Sequence, residues 1–185
     1  GTNFTNSLLI GHATTGTLST AINNVGIGFN TLESITSADK NIAIGYKAGA
    51  DLTAGSQNIF IGNEAGQACI AGYGNTAVGD SALGIAAGNS NTHSTCIGYQ
   101  AGLAAANMVA GTLIGRQAGD EISSGDYNIC LGYSSGDNLT TGNGNLILGS
   151  VDADAVDSDR TLKIAGFDGT TTTTWISGDN AGKVT

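Results

Sequence analysis

Apolar triplets, each followed by a glycine, recur along this chain at an almost constant interval. These anchor glycines stand 17 residues apart, with a single interval of 19, at Gly11, Gly28, Gly45, Gly62, Gly79, Gly98, Gly115, Gly132 and Gly149. A fixed period of this length indicates that each repeat is one structural unit stacked on its neighbours. The sequence therefore predicts a repetitive β-solenoid, with nine turns of 17 residues within residues 1–150.

The aligned repeats predict where the side chains point. With positions counted from the anchor glycine, position −1 holds Ile10, Ile27, Ile44, Ile61, Val78, Ile97, Ile114, Leu131 and Leu148. Position −3 holds Leu8, Val25, Ile42, Ile59, Thr76, Thr95, Thr112, Ile129 and Leu146. Because side chains alternate across a strand, these two columns share a side, and we expect them to line the interior. Two short strands per repeat would then bring in a second interior column at position +7, made of Leu18, Ile35, Leu52, Cys69, Ala86, Ala105, Ile122, Leu139 and Val156.

Position −2 is then expected to face outward, and it contains no polar residue. It holds Leu9, Gly26, Ala43, Phe60, Ala77, Cys96, Leu113, Cys130 and Ile147. A strand that is apolar on both faces is typical of a sheet covered on both sides. Since one narrow chain has nothing left to cover its outside, we expect association with copies of itself. The predicted assembly is a parallel homotrimeric fibre, with the outward column as its oligomer interface: Leu9, Ala43, Phe60, Ala77, Cys96, Leu113, Cys130 and Ile147.

Composition agrees with a solenoid. The chain has 30 glycines, suited to turns with positive φ, and no proline to interrupt a backbone ladder. Position −4 carries six asparagines that we expect to form a stacked amide ladder: Asn24, Asn41, Asn58, Asn75, Asn128 and Asn145. A row of ligand-binding amides is the alternative for the same column.

Charge and hydropathy exclude two classes of function. The net charge is −9, and the basic residues are scattered rather than clustered, so nucleic-acid binding is not expected: Lys40, Lys47, Arg116, Arg160, Lys163 and Lys183. No apolar run is long enough to span a membrane. The chain begins without a Met and inside the repeat pattern, so we expect it to be a segment of a longer polypeptide.

Candidate chemistry is sparse, and no enzyme activity and no cofactor are expected. The two histidines, His12 and His93, have no nucleophile or carboxylate at a motif spacing. The three cysteines occupy apolar positions and are interpreted as small hydrophobic residues. One acidic cluster offers the oxygen chemistry of a calcium site, although a solvated acidic turn is favoured: Asp152, Asp154, Asp157 and Asp159.

Two places depart from the repeat. The two-residue insertion lies in a polar stretch, whose candidate receptor-contact residues are Asn89, Ser90, Asn91, Thr92 and His93. Residues 151–185 lose the period and become threonine-rich, which predicts a β-rich terminal cap or collar leading to a further module. A tolerated insertion and a simple cap are the plainer interpretations of both, and we favour them.

The repeat also resembles two known families. The segments Asn41-Ile42-Ala43-Ile44-Gly45 and Asn75-Thr76-Ala77-Val78-Gly79 are similar to the Asn-Ser-Val-Ala-Ile-Gly core of the head repeats of trimeric autotransporter adhesins. The wider unit, Asn, three apolar residues, then Gly-x-x-Ala-Gly, is still more similar to the glycine-rich repeats of bacteriophage tail fibres, over about residues 7–150. The resemblance implies a left-handed β-roll, three chains around an axis, a virion or extracellular location and adhesion to a cell surface.

The function expected on these grounds is that of a structural and adhesive fibre, a viral tail fibre shaft or head. Its partners would be itself and a host cell-surface receptor such as a glycan. The alternatives are a bacterial trimeric surface adhesin and a passive spacer that carries a receptor-binding tip elsewhere. Ice binding would need an outward threonine column, whereas Thr76, Thr95 and Thr112 stand at position −3, which is expected to face inward.

Overall fold

The computed structural model describes residues 6–11, 20–84 and 90–185, and all of its regular elements are β-strands. Nine three-residue strands precede two longer ones. They are β1 (Leu8–Ile10), β2 (Val25–Ile27), β3 (Ile42–Ile44), β4 (Ile59–Ile61), β5 (Thr76–Val78), β6 (Thr95–Ile97), β7 (Thr112–Ile114), β8 (Ile129–Leu131), β9 (Leu146–Leu148), β10 (Leu162–Phe167) and β11 (Thr172–Gly178).

The strands form one sheet in chain order, from β1 to β11. β1 to β9 are parallel, and equivalent positions of successive repeats pair, as in Ile42 with Ile59 and Ile44 with Ile61. The predicted β-solenoid is therefore confirmed, with about eight turns of roughly 17 residues. The sequence predicts nine turns, whereas the nine strands β1 to β9 are joined by eight repeats. We call each of these strands, together with the turns that follow it, a rung.

Each described rung contains one strand, so the prediction of two strands per rung is wrong. The opposite wall consists of tight turns that stack on those of the next rung. Lys47 N–H donates to the carbonyl of Phe29 at 2.9 Å, and Gly49 N–H donates to that of Ala65 at 2.9 Å. Because Lys47 and Gly49 both have positive φ, consecutive turns bend the chain without a second strand.

The strand faces are reversed relative to the prediction. Position −2, expected to face outward, lies in the core, where Ala43, Phe60, Ala77, Cys96, Leu113, Cys130 and Ile147 are fully buried. Positions −3 and −1, expected inside, face outward. The column at +7 is buried as predicted at Ile35, Leu52, Cys69, Ala105, Ile122 and Leu139, but Val156 is exposed, while Leu18 and Ala86 lie outside the described residues.

The interior is narrow, and side-chain size is balanced between positions −2 and +4. Phe60 fills the core because Gly49 and Gly66 stand at +4, and a Cβ at Gly66 would lie 2.6 Å from Cε1 of Phe60. In the rung of Ala77, which is small at position −2, position +4 holds a leucine, Leu83. Leu83 is buried although its φ is 55°, an unusual conformation for leucine. Core filling therefore outweighs backbone preference in this rung.

The anchor glycine is required by close stacking of the backbone. Gly62 has a φ of 140°, and a Cβ there would overlap the carbonyl oxygen of Gly79 in the next rung. Any other residue would separate the rungs at the end of the strand.

The asparagines at position −4 form the expected amide ladder in the interior. Nδ2 of Asn58 donates to Oδ1 of Asn41 at 3.0 Å and to the carbonyl of Gly72 at 2.8 Å. Oδ1 of Asn58 accepts from Nδ2 and from the backbone N–H of Asn75, both at 3.0 Å. Asn58 therefore links its own rung to both neighbouring rungs, and the ladder is interrupted between Asn75 and Asn128 by Ser94 and Gly111.

The stack continues past residue 150. β10 pairs in parallel with β9, and β11 then returns antiparallel to β10. Among the residues that the structure describes, no helix has the length and apolar character needed to cross a membrane.

Candidate functional site

The first and third residues of strands β1 to β9 form a continuous surface that we call the outer apolar face. Its members at positions −3 and −1 are aliphatic apart from Thr76, Thr95 and Thr112. Eight of them are exposed by 36% or more: Leu8, Ile10, Ile42, Ile61, Ile97, Ile114, Ile129 and Leu146. In-register pairing places like residues above one another, so the face is a straight double row along the solenoid.

Aromatic and cationic side chains stand next to this face at position +1. Phe29 and Tyr46 stack with ring centroids 6.1 Å apart and an interplanar angle of 4°. The guanidinium carbon of Arg116 lies 5.6 Å from the ring centroid of Tyr99 and 5.3 Å from that of Tyr133. This spacing is that of a cation–π contact on both sides of Arg116. The column is exposed, and its members are held against one another between rungs.

The residues predicted as the oligomer interface are not on the surface. Ala43, Phe60, Ala77, Cys96, Leu113, Cys130 and Ile147 belong to the core of the single chain, and Leu9 packs against that core. The interface assignment is therefore corrected: apart from Leu9, which is partly buried, these side chains have no area left for a second molecule, and the exposed columns are positions −3 and −1.

The predicted receptor-contact residues lie in different environments, some exposed and some buried. Asn89 lies outside the described residues, and Ser90 and His93 are exposed. Asn91 is buried, donating to the carbonyl of Ala105 and accepting from Met108 N–H, so its assignment to receptor contact is wrong. Thr92 pairs in parallel with Tyr73 and Val109 and is part of the stack.

Three of the four aspartates of the acidic cluster have different partners, and Asp157 is exposed. Asp154 pairs with Lys163 at 2.6 Å, and Asp159 accepts from the backbone and side chain of Asn143. Asp152 faces Asp137, whose pKa is raised to about 7 by burial and by the neighbouring Asp152 carboxyl group. Within the described ranges, no three His, Cys, Asp or Glu side chains converge as a metal site requires. The calcium interpretation therefore loses its geometric basis.

All three cysteines are free and buried. Burial raises the pKa of the Cys69 thiol to about 11 and raises the pKa values of Cys96 and Cys130 as well. A buried neutral thiol is a poor nucleophile. The interpretation of these residues as small hydrophobic residues agrees with this placement, although Cys96 and Cys130 were expected to face outward.

One signal in the sequence could have identified the correct outer face. Position −3 carries three threonines, whereas position −2 carries no polar side chain in any rung. A threonine hydroxyl is tolerated at a surface more easily than in a narrow apolar core. The three threonines therefore indicate that position −3 faces outward.

Comparisons with known proteins identify no relative of this chain. No family model, no curated protein and no solved structure matches the chain.

Proposed function

We propose that this chain is a segment of a structural and adhesive fibre protein, a homotrimeric viral tail fibre shaft or head that mediates attachment to the host cell surface. The observation that carries the proposal is the outer apolar face, a double row of outward side chains along β1 to β9 that is aliphatic except for Thr76, Thr95 and Thr112. The resemblance of the repeat to phage tail fibres and trimeric adhesins supplies the number of chains and the virion or extracellular location.

The shape of the outer apolar face supports self-association. At strand spacing the nine rungs extend about 40 Å, and two columns about 7 Å apart enclose a straight strip of roughly 280 Å². This area is no larger than the largest apolar patch of a typical monomer and is below the about 800 Å² that each partner buries in a stable interface, so the contact needs additional area. The exposed aromatic column beside it, including Phe29 and Tyr46, supplies further area for such a contact.

The repeat also favours copies that run in the same direction. Like residues recur at every rung, so two parallel copies can match rung for rung along the whole face. Antiparallel copies would set the threonine-bearing rungs of β5 to β7 against different partners. A parallel bundle about one axis therefore buries the face most evenly.

The outward position of three threonines favours one second candidate. Thr76, Thr95 and Thr112 stand on successive strands and face outward, so the expectation that this column points inward is wrong. The other six strands carry Leu, Val or Ile at the same position. A threonine array for ice binding would therefore be three rungs long, and measurement of thermal hysteresis tests it directly.

Light scattering coupled to size exclusion tests the assembly. We expect a particle of three times the chain mass of 18.3 kDa. Ile114→Asp introduces a charge in the outer apolar face and should yield single chains that keep their β-type circular dichroism. Ile70→Asp is the matched control, because Ile70 is equally exposed, at 38%, but stands at position +8. A single-chain mass for the unmodified protein contradicts the trimer, and an Ile114→Asp variant that remains a trimer contradicts the outer apolar face as its interface.

Adsorption of the labelled protein to a panel of bacterial strains separates attachment from the other fibre functions. A passive spacer binds no strain, whereas an adhesive segment binds a subset. Many weak contacts along a trimer would suffice for this binding. Binding that survives in the single-chain Ile114→Asp variant would show that attachment does not depend on assembly.

A further inference from the structure

The hairpin of β10 and β11 presents the single tryptophan of the chain to solvent. Trp175 is 66% exposed. Pairing of the two strands passes from Ile164 with Ile176 to Ala165 with Thr174, so Trp175 is the extra residue of a β-bulge. Bulges redirect a side chain relative to the regular alternation of a strand. The β-bulge of the hairpin therefore determines where this indole points.

Gly166 on the opposite strand supports the indole ring. A Cβ built at Gly166 would lie 2.7 Å from Cη2 and 3.3 Å from Cε2 of Trp175. The ring thus rests on the glycine backbone, and any side chain at residue 166 would displace it. Since most of the indole is nevertheless exposed, the part turned away from Gly166 is accessible as a flat aromatic surface.

Polar groups stand beside this aromatic surface. A cleft of about 330 Å³ is lined by Gly166, Phe167, Asp168, Thr171, Thr173 and Trp175. The backbone N–H groups of Thr171 and Thr170 donate to Oδ1 of Asp168 at 2.8 and 2.9 Å, and they lower the pKa of this carboxyl. None of the residues that the structure describes donates to Oδ2 of Asp168, which leaves an acceptor for a ligand hydroxyl.

We propose that this cleft binds a neutral sugar ring. A pyranose has a C–H face that packs on an aromatic surface, and its edge of hydroxyls can donate to a fixed carboxylate. The cleft volume is at the small end of ligand sites, and one aromatic wall with a few oriented polar groups is their usual composition. Asp168 and the net charge of −9 disfavour acidic sugars. The inference rests on the proposed adhesive function and gives its receptor a chemical class.

The fluorescence of Trp175 reports on the cleft without a label, because it is the only tryptophan. We expect at least one of glucose, galactose, mannose and N-acetylglucosamine to change the emission saturably, with a Kd in the millimolar range. Glucuronic acid should bind more weakly than glucose, because its negatively charged carboxylate is repelled by the carboxylate of Asp168. If none of the four neutral sugars changes the emission up to about 100 mM, the proposal is overturned.

Asp168→Asn tests the role of the carboxylate. The asparagine oxygen can still accept the two backbone N–H groups, so the hairpin should fold, while sugar affinity should fall by about tenfold or more. Asp179→Asn is the matched control, because Asp179 Oδ1 accepts from Ala181 and Lys183 N–H at 3.0 Å but does not line the cleft. Equal affinities in all three proteins would refute a site centred on Asp168.

Two outcomes separate this inference from the proposed function. A protein that is trimeric and adsorbs to cells, but whose emission ignores sugars, refutes the sugar site alone. A protein that binds sugars as a single chain refutes the fibre alone. If acrylamide fails to quench Trp175 in the unliganded protein, another copy of the chain covers the indole, and the sugar site is overturned.

Discussion

Replacing Asn58 by alanine tests the amide ladder, the interaction that links successive rungs through the interior. The side chain is fully buried and makes four hydrogen bonds to Asn41, Gly72 and Asn75. Without this side chain, two backbone groups lose their hydrogen bond to it: the carbonyl of Gly72 and the N–H of Asn75. At about 1–3 kcal/mol for each unsatisfied group, and with some lost packing, we expect a destabilisation of about 3–5 kcal/mol. That is a large part of the stability of an ordinary domain.

Urea unfolding followed by circular dichroism measures this change, and hydrogen exchange localises it. The N–H of Asn75 should exchange faster in Asn58→Ala, because it loses the side-chain acceptor that now protects it. Asn107→Ala is the control, since Asn107 is exposed and should change the midpoint little. A loss below about 1 kcal/mol for Asn58→Ala would refute the view that the ladder holds the rungs together.

Asn58→Asp keeps the shape of the side chain and changes only its donors. An ionised aspartate accepts hydrogen bonds but cannot donate to Oδ1 of Asn41 or to the Gly72 carbonyl. Burial favours the protonated acid, so the pKa of the new carboxyl is raised in the folded state, and stability is lost as pH increases through that value. The variant should therefore approach the unmodified protein at low pH. A penalty that does not depend on pH would contradict this account.

Two further predictions concern the packing of Gly111 against Met108 and the pair of carboxyl groups of Asp137 and Asp152. Gly111 replaces the ladder asparagine in its rung, and a Cβ there would lie 2.9 Å from Cε of Met108, so Gly111→Asn alone should destabilise by about 1–3 kcal/mol. Adding Met108→Gly should recover that loss, because it frees the space that the asparagine side chain needs. Urea unfolding of both single variants and of the double variant should give a coupling free energy of about 1 kcal/mol or more, and additive effects would contradict this packing relationship. Because the pKa of Asp137 is raised to about 7 beside Asp152, its ionised form is less favourable in the folded than in the unfolded protein, so stability falls as pH rises from about 4 to about 7. Asp137→Asn should gain up to about 1 kcal/mol over the unmodified protein across that range, discounted for partial exposure, and a difference independent of pH would exclude this origin.

The period and the asparagine column were sufficient to predict the solenoid. Constant spacing places like residues above one another, and this alone determines which strands pair and which amides meet. Asn41, Asn58 and Asn75 are therefore stacked as their spacing indicated. The period could not show that each described rung has only one strand. Tight turns with positive φ at Lys47 and Gly49 stack on the neighbouring rungs as well as a second strand would.

The direction of the strand faces required information that hydrophobicity does not contain. Alternation separates one face from the other, but it cannot say which is the core when both are apolar. Leu113 and Ile114 are adjacent aliphatic residues, yet one is fully buried and the other is 38% exposed. The bulge at Trp175 was unpredictable for a related reason, because it arises from the pairing of two strands outside the period.

The variation of side-chain size along the chain distinguishes the two faces and bears on assembly. Interior position −2 ranges from Gly26 to Phe60, and its volume is compensated inside the chain, by Leu83 at position +4 beside Ala77 and by Gly49 and Gly66 around Phe60. Position −1 has no such partner within the chain, yet it contains only Ile, Val and Leu in all nine rungs. A surface that met only water would have no physical need for uniform aliphatic volume. A surface that packs against a straight, repeating neighbour does need it, because one large residue would hold the neighbouring rungs apart. The uniformity of position −1 is therefore the strongest sequence argument for burial of the outer apolar face between copies of the chain.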